Sequence, residues 1–310
     1  MLNILNIEPN GFSVNALKLI KSKKWNYFTL NDDVSLCKID VLIIRLSAYI
    51  NSEFLMNYKN LKYIISPTTG TDHIDTDLLN KKGIKLICLK GENKFLKKIT
   101  STAELHWGLL ISLSRNILAA NEHVVNDKKW LRDNFKGVQL SEKEIGIIGL
   151  GRLGTIIAEY ATAFNMNVSY FDPFVNETKY NKYQKLDSLL RNSDFISINV
   201  PLNKSTEKMI SSDNKDIIKQ GSFIINTSRG KIVDESSIID LIKRKKIGGY
   251  ATDVLSNEIQ FSDKNSVKNN LIKLSEKYKN ILITPHIGGA TRDAMWLTED
   301  FCINKLISIF

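Results

Sequence analysis

Cysteine is scarce in this 310-residue chain: Cys37, Cys88 and Cys302 stand far apart, with no C-x-x-C spacing. That spacing offers neither a disulfide framework nor a zinc-ligand set, so no metal is expected and a reducing cytoplasm fits. Long apolar runs are missing as well; none approaches the ~20 residues that a bilayer-spanning helix requires. The opening stretch Met1-Leu2-Asn3-Ile4-Leu5-Asn6-Ile7-Glu8 lacks the basic region and small-residue cleavage site of a secretory signal, and reads as a first strand. There is no Pro/Gly/Ser-rich linker, internal repeat or low-complexity tract. Only residues 263–270, rich in Lys, Asn and Ser, read as a surface loop, leading into a helical run over 271–278. Acidic residues are outnumbered, giving a net charge of +10, yet the basic residues are scattered. Their densest cluster, Lys243-Arg244-Lys245-Lys246, falls at the end of a predicted helix, where cations complement the helix dipole, so no nucleic-acid partner is expected.

What is present is alternation. Apolar runs at 2–7, 41–44, 63–65 and 84–88 are separated by amphipathic segments around 14–20, 52–58 and 76–79, the pattern of βα units on a parallel sheet. A long helical pattern then runs from Thr100 through Leu105, Leu109, Leu113 and Leu118. Thr100 or Ser101 with Glu104 downstream predicts its cap. A second series of strands follows at 145–148, 167–172, 195–200, 222–226, 249–252 and 281–284, with helical patterns at 186–191, 214–219 and 235–243 between them. These make a doubly wound sheet of about six strands.

The second series opens on Ile145-Gly146-Ile147-Ile148-Gly149-Leu150-Gly151-Arg152-Leu153-Gly154, followed by an apolar, helix-periodic run. A β-branched strand entering G-x-G-x-x-G and then a helix is what a dinucleotide needs. Gly149 makes the tight turn, Gly151 lets the pyrophosphate approach, and Gly154 allows close helix-on-strand packing. The phosphates then rest on free N–H groups and the positive end of the helix dipole. About 20 residues further on, Asp172 ends the next strand, where an acid accepts hydrogen bonds from the adenosine ribose. No arginine or lysine follows it directly, which points to NAD over NADP.

Unusual residues gather at the strand ends, where open parallel sheets place ligand crevices. They include Pro201, Thr227-Ser228-Arg229-Gly230, Asp253, Glu258, and Pro285-His286-Ile287-Gly288-Gly289-Ala290-Thr291. With Thr69-Gly70-Thr71-Asp72-His73-Ile74-Asp75, Ser101-Thr102-Ala103-Glu104, Val200-Pro201-Leu202, Thr206 and Val233-Asp234-Glu235, these motifs make the chain resemble the NAD-dependent D-isomer-specific 2-hydroxyacid dehydrogenases, the family that includes D-3-phosphoglycerate dehydrogenase. The match runs nearly the whole length.

The resemblance implies an α/β protein of two doubly wound parallel-sheet domains. A Rossmann NAD domain over 100–290 is inserted into a flavodoxin-like substrate domain built from 1–99 and 291–310, with the active site in the cleft between them. It implies cofactor contacts at Gly149, Gly151, Arg152, Leu153, Gly154, Asp172, Pro201, Thr206, Thr227, Ser228, Asp253, Gly288 and Gly289. It places Arg229 as substrate binder, His286 as acid/base and Glu258 as the histidine's partner. Two departures concern the loop after Glu258: Ile259 stands where the family usually has proline, and 260–279 is longer than expected.

The chemistry of these side chains stands beside the resemblance. Reducing a 2-keto acid needs a hydride at the carbonyl carbon, a proton for the developing alkoxide and a fixed cation for the carboxylate. Arg229 offers a planar fork of donors. His286 offers an imidazole, the side chain suited to general acid–base work, and a carboxylate beside an imidazole favours its charged form. Thr69, Gly70 and Thr71 offer backbone donors to an anionic substrate, and Arg45 is a candidate second cation. His73, His106 and His123 are assigned no catalytic role. The helix from Thr100 and the segment 121–135, with Val124, Val125, Trp130, Leu131 and Phe135, are where a partner in a homodimer is expected, partly on the resemblance. The alternative is an interaction protein that senses a dinucleotide on the same fold, as in the family's corepressor relatives. A formate-oxidising enzyme fits less well, since that branch has a glutamine where Glu258 stands.

Overall fold

The computed structural model describes residues 1–176, 178–258, 261 and 268–310. Most of the expected surface loop over 263–270 lies outside the described residues, and so does Ile259. The chain divides into two compact units, Met1–Ile99 with Gly289–Phe310, and Thr100–Gly288.

The first unit is built on five parallel strands: β1 Asn3–Asn6, β2 Asn26–Thr29, β3 Val41–Ile43, β4 Tyr63–Ser66 and β5 Lys85–Cys88. Their order in the sheet is β2-β1-β3-β4-β5, the flavodoxin-like order. Side chains alternate across the sheet, and both faces are covered, which is why the inner strands read as unbroken apolar runs. Ile4, Ile43, Ile65 and Ile87 pack against Ala16 and Ile20 of helix Val14–Ser22 and against Cys302, Ile303 and Leu306 of helix Arg292–Ile307. Leu5, Leu42 and Ile64 face the other way, onto Leu55 and Leu79. The caps follow local chemistry: Asp75 accepts from the Leu78 amide, and Gly83 at φ 70° closes the same helix.

The second unit carries seven parallel strands: β6 Glu144–Ile148, β7 Asn167–Phe171, β8 Asn181–Lys182, β9 Phe195–Ile198, β10 Phe223–Asn226, β11 Gly249–Thr252 and β12 Ile281–Ile283. They lie in the order β12-β11-β10-β9-β6-β7-β8. Counted from β6 this is the Rossmann order with one strand added. Ile145, Ile147, Phe195, Ile225 and Ala251 pack under helices Ser101–Ser114 and Arg152–Ala163. Ile148, Ile196, Ile198 and Ile224 face Leu189, Leu190, Ile238 and Leu241. The register brings Phe171, Ile148, Ile198, Asn226, Thr252 and Ile283 into one row across the sheet. Each residue that follows one of these therefore emerges on the same edge.

Four local expectations change. Strands β2 and β8 escape a search for apolar runs, because N-Y-F-T and N-K are polar or half-buried edge strands. The helix predicted over 214–219 is a single 3₁₀ turn, Lys215–Ile217. There Asn214 ties the chain down by accepting from Ser211 and donating to Met209 O. Thr100 is the N-cap of helix Ser101–Ser114 without a side-chain bond to its backbone, since its hydroxyl donates to Glu104 at 2.5 Å. That helix ends at Ser114, and Asn116, left-handed at φ 54°, starts a new one, Ile117–Asp127.

Candidate active site

The edge defined by the register carries the glycine loop. Gly149 has φ +87°, and a Cβ there would lie 2.6 Å from Val200 and 2.8 Å from Asn199 O. A Cβ on Gly154 would lie 2.1 Å from Gly149 O, so helix Arg152–Ala163 meets β6 at a distance only glycine permits. Gly151 differs: a Cβ there meets nothing within 4 Å. Its lack of a side chain serves no packing in the chain and leaves a cradle open at the helix N-terminus. Gly151 is the N-cap and forms no side-chain cap, so the first-turn amides face that cradle. Arg152 and Leu153 form the first helical turn, with Leu153 packed on the core.

Asp172 follows β7 and is buried. Its Oδ2 accepts from the Leu150 amide at 2.9 Å and its Oδ1 from the Phe174 amide at 2.8 Å. Each oxygen retains acceptor capacity for a ribose hydroxyl. A dinucleotide fits this arrangement: an open glycine cradle at a helix N-terminus and an acid at the neighbouring strand end. Beyond β9, Thr206 donates to Pro201 O at 2.6 Å and accepts from the Asn203 amide at 2.9 Å, bracing the 201–206 loop.

After β10, the Asn226 carboxamide oxygen accepts from the Ser228 amide and hydroxyl at 3.1 and 2.8 Å, and its nitrogen donates to Arg229 O at 3.0 Å. A Cβ on Gly230 would lie 2.1 Å from Leu255 C. The Arg229 segment is therefore pressed against the chain that leaves β11. Thr227 is held from below by His106, whose Nδ1 lies 3.1 Å from Thr227 Oγ1 and whose Nε2 lies 3.0 Å from Ser197 Oγ. Burial drives the His106 pKa down to about 3, so it is a neutral strut. The sequence left His106 without a role, and helical spacing could not reveal partners 91 and 121 residues away.

Asp253 organises the turn after β12. Its Oδ1 accepts from Thr284 Oγ1 at 2.6 Å and from the Ile287 amide at 2.8 Å, and its Oδ2 accepts from the Gly288 amide at 2.7 Å. Burial raises its carboxyl, and these hydrogen bonds oppose the rise. His286 sits in this turn at φ 54°, its amide donating to Asp253 O at 2.8 Å. Left-handed backbone at a histidine is costly, and the Asp253 bonds hold it there. His286 Nδ1 lies 2.7 Å from Glu258 Oε1, while Glu258 Oε2 accepts from the Leu255 amide at 3.1 Å. An ionised carboxylate only accepts, so Nδ1 donates and Nε2 is left to exchange protons.

Gly289, Arg45 and Thr69–Thr71 belong to the first unit. The amides of Thr69, Gly70 and Thr71 donate to no described residue. The Arg45 guanidinium is ion-paired with Glu299 and donates to Asn10 O at 3.1 Å. Glu299 was not foreseen, although the signal existed: an acid on the stripe shared by Cys302, Ile303 and Leu306 demands a cation.

Comparison with known proteins bears on this geometry. Residues 107–288 match the family described as D-isomer specific 2-hydroxyacid dehydrogenase, NAD binding domain. A D-3-phosphoglycerate dehydrogenase of Archaeoglobus fulgidus is 34% identical over 261 residues, covering 83% of this chain and 47% of that protein. The chain thus spans about half of that relative's length. A hydroxypyruvate reductase of Thermotoga maritima is 33% identical, covering 83% of this chain and 80% of the relative. Among solved structures, a D-lactate dehydrogenase of Aquifex aeolicus complexed with NAD and lactic acid superposes with a TM-score of 0.84 at 25% identity, covering 99% and 95% of the two chains.

Proposed function

The chain belongs to the D-isomer specific 2-hydroxyacid dehydrogenases, NAD-dependent oxidoreductases, and from that premise we propose that it interconverts a D-2-hydroxy acid and its 2-keto acid. The observation that carries the reading is the 2.7 Å contact between His286 Nδ1 and Glu258 Oε1 at the sheet edge that also bears the glycine cradle.

NAD(H), when bound, supplies or accepts the hydride at C2. Gly149, Gly151, Arg152, Leu153, Gly154, Asp172, Pro201, Thr206, Thr227, Ser228, Asp253, Gly288 and Gly289 are the residues proposed to hold it. Arg229 grips the substrate carboxylate and polarises the carbonyl with its fork of donors. His286 gives a proton from Nε2 to the developing alkoxide and takes it back in the oxidative direction. Glu258 stabilises the imidazolium and fixes the ring. The Thr69, Gly70 and Thr71 amides are proposed as further donors to the anionic substrate.

A homodimer is proposed on the exposed apolar groups of the second unit: Leu118, Val125, Trp130 and Leu131 are 52%, 52%, 86% and 52% exposed. Exposed apolar groups this large so close in sequence call for a cover, and a monomer in sedimentation at micromolar concentration contradicts it. Among the described residues no helix is long and apolar enough to cross a membrane. The reading is consistent with a cytoplasmic enzyme.

The direct test is NADH oxidation with a panel of 2-keto acids. Turnover with at least one, and much poorer use of NADPH, is the expected outcome. No turnover with any acid favours the dinucleotide-sensing alternative.

A further inference from the structure

Glu299 is an acid on an apolar helix face. In helix Arg292–Ile307 it shares a stripe with Cys302, Ile303 and Leu306, and it is 1% exposed. A buried carboxylate requires partners. Its Oε1 accepts from the Arg45 guanidinium, and its Oε2 accepts from the Ser13 amide at 2.7 Å. Burial pushes its carboxyl above the ordinary range, and Arg45 opposes that rise. Arg45 follows β3, and the acid of the loop after β1 is turned onto the same segment. Glu8 accepts from the Arg45 amide at 2.5 Å and from the Leu46 amide at 3.3 Å.

These loops lie where the strand order of the first sheet reverses, between β1 and β3. Open parallel sheets take ligands outside the carboxyl ends of strands at that point. The donors found there, a guanidinium and three backbone amides, suit an anion. All four are engaged by the chain's own carboxylates, Glu8 and Glu299.

We propose that Glu299 determines specificity: by engaging Arg45 it withholds a second cation, additional to Arg229, and restricts the enzyme to 2-keto acids whose only anionic group is the 2-keto carboxylate. A substrate carrying a phosphate ester or second carboxylate finds the Arg45 guanidinium already paired and two acids that repel it. The inference rests on the proposed 2-keto acid reading, and refines it.

The test is a matched pair that differs only in the extra charge, hydroxypyruvate and its 3-phosphate, each with NADH. Wild type favours hydroxypyruvate in kcat/KM by about tenfold or more, the scale of one charge-assisted hydrogen bond. Glu299→Gln removes the charge and keeps an acceptor for Ser13. It narrows that preference by about tenfold, chiefly through KM for the phosphate ester, and leaves hydroxypyruvate turnover within about twofold. Thermal melting verifies that the variant is folded; if it is not, Glu299→Ala is the second variant, and the wild-type preference needs neither. Equal kcat/KM for the pair in wild type, or an unmoved ratio in a folded variant, overturns the inference and leaves the dehydrogenase reading standing. Absence of turnover with either acid contradicts the dehydrogenase reading itself, and the inference with it.

Discussion

Asp172 Oδ2 accepts the amide hydrogen of Leu150 at 2.9 Å, so the acid at the end of β7 is tied to the glycine loop after β6. One carboxylate thereby shapes the glycine loop, and it is the group proposed to receive the ribose. Asp172→Asn keeps one acceptor and removes the charge that repels a 2′-phosphate, so the ratio of NADPH to NADH kcat/KM rises by about tenfold. Asp172→Ala loosens the loop as well and lowers both. An unchanged cofactor ratio in Asp172→Asn removes the residue from this role.

Gly154 is required by packing and Gly151 is not, so the two separate the proposed cofactor role from a structural one. Gly151→Ala has open space around its Cβ and an ordinary φ of −74°. It melts like wild type, while its Kd for NADH, read by fluorescence titration, rises by about tenfold or more. Gly154→Ala drives a Cβ to 2.1 Å from Gly149 O and costs ~1–3 kcal/mol of stability. Equal melting losses in the two variants contradict the distinction.

His106 makes stability depend on acidity. It protonates at about 3 in the fold against 6.5 when unperturbed, so the native state binds fewer protons between those values. Its contribution is complete above pH ~6.5 and is lost as pH falls toward the folded value, by ~1.4 kcal/mol per pH unit. His106→Gln retains a donor and an acceptor for Thr227 and Ser197 and does not titrate. Chemical denaturation between pH 7 and 5 therefore shows a shallower acid loss in the variant; parallel curves contradict the assignment.

Local features were legible in the sequence, because their causes are local. The G-x-G-x-x-G stretch, the strand periods and the helix Glu235–Lys243 depend on neighbours a few residues away. The long-range partners were not. His106 reaches Ser197 and Thr227 across 91 and 121 residues, and Arg45 reaches Glu299 across 254. Spacing carries no signal of such pairs, beyond the demand that a buried acid find a cation. The Glu258–His286 pair was anticipated only through resemblance. The two residues are brought within 2.7 Å because the loops after β11 and β12 leave neighbouring parallel strands.

Glu258 is proposed to act through His286, the proton donor to the keto acid, and the pH profile of Glu258→Gln is the decisive measurement. Removing the negative charge 2.7 Å from Nδ1 withdraws support from the imidazolium, so the alkaline limb of keto-acid reduction moves to lower pH while NADH binding stays nearly constant. For reference, His286→Ala lowers turnover by about 100-fold or more at every pH. A Glu258→Gln profile that superposes on wild type, with turnover unchanged, contradicts that role for Glu258.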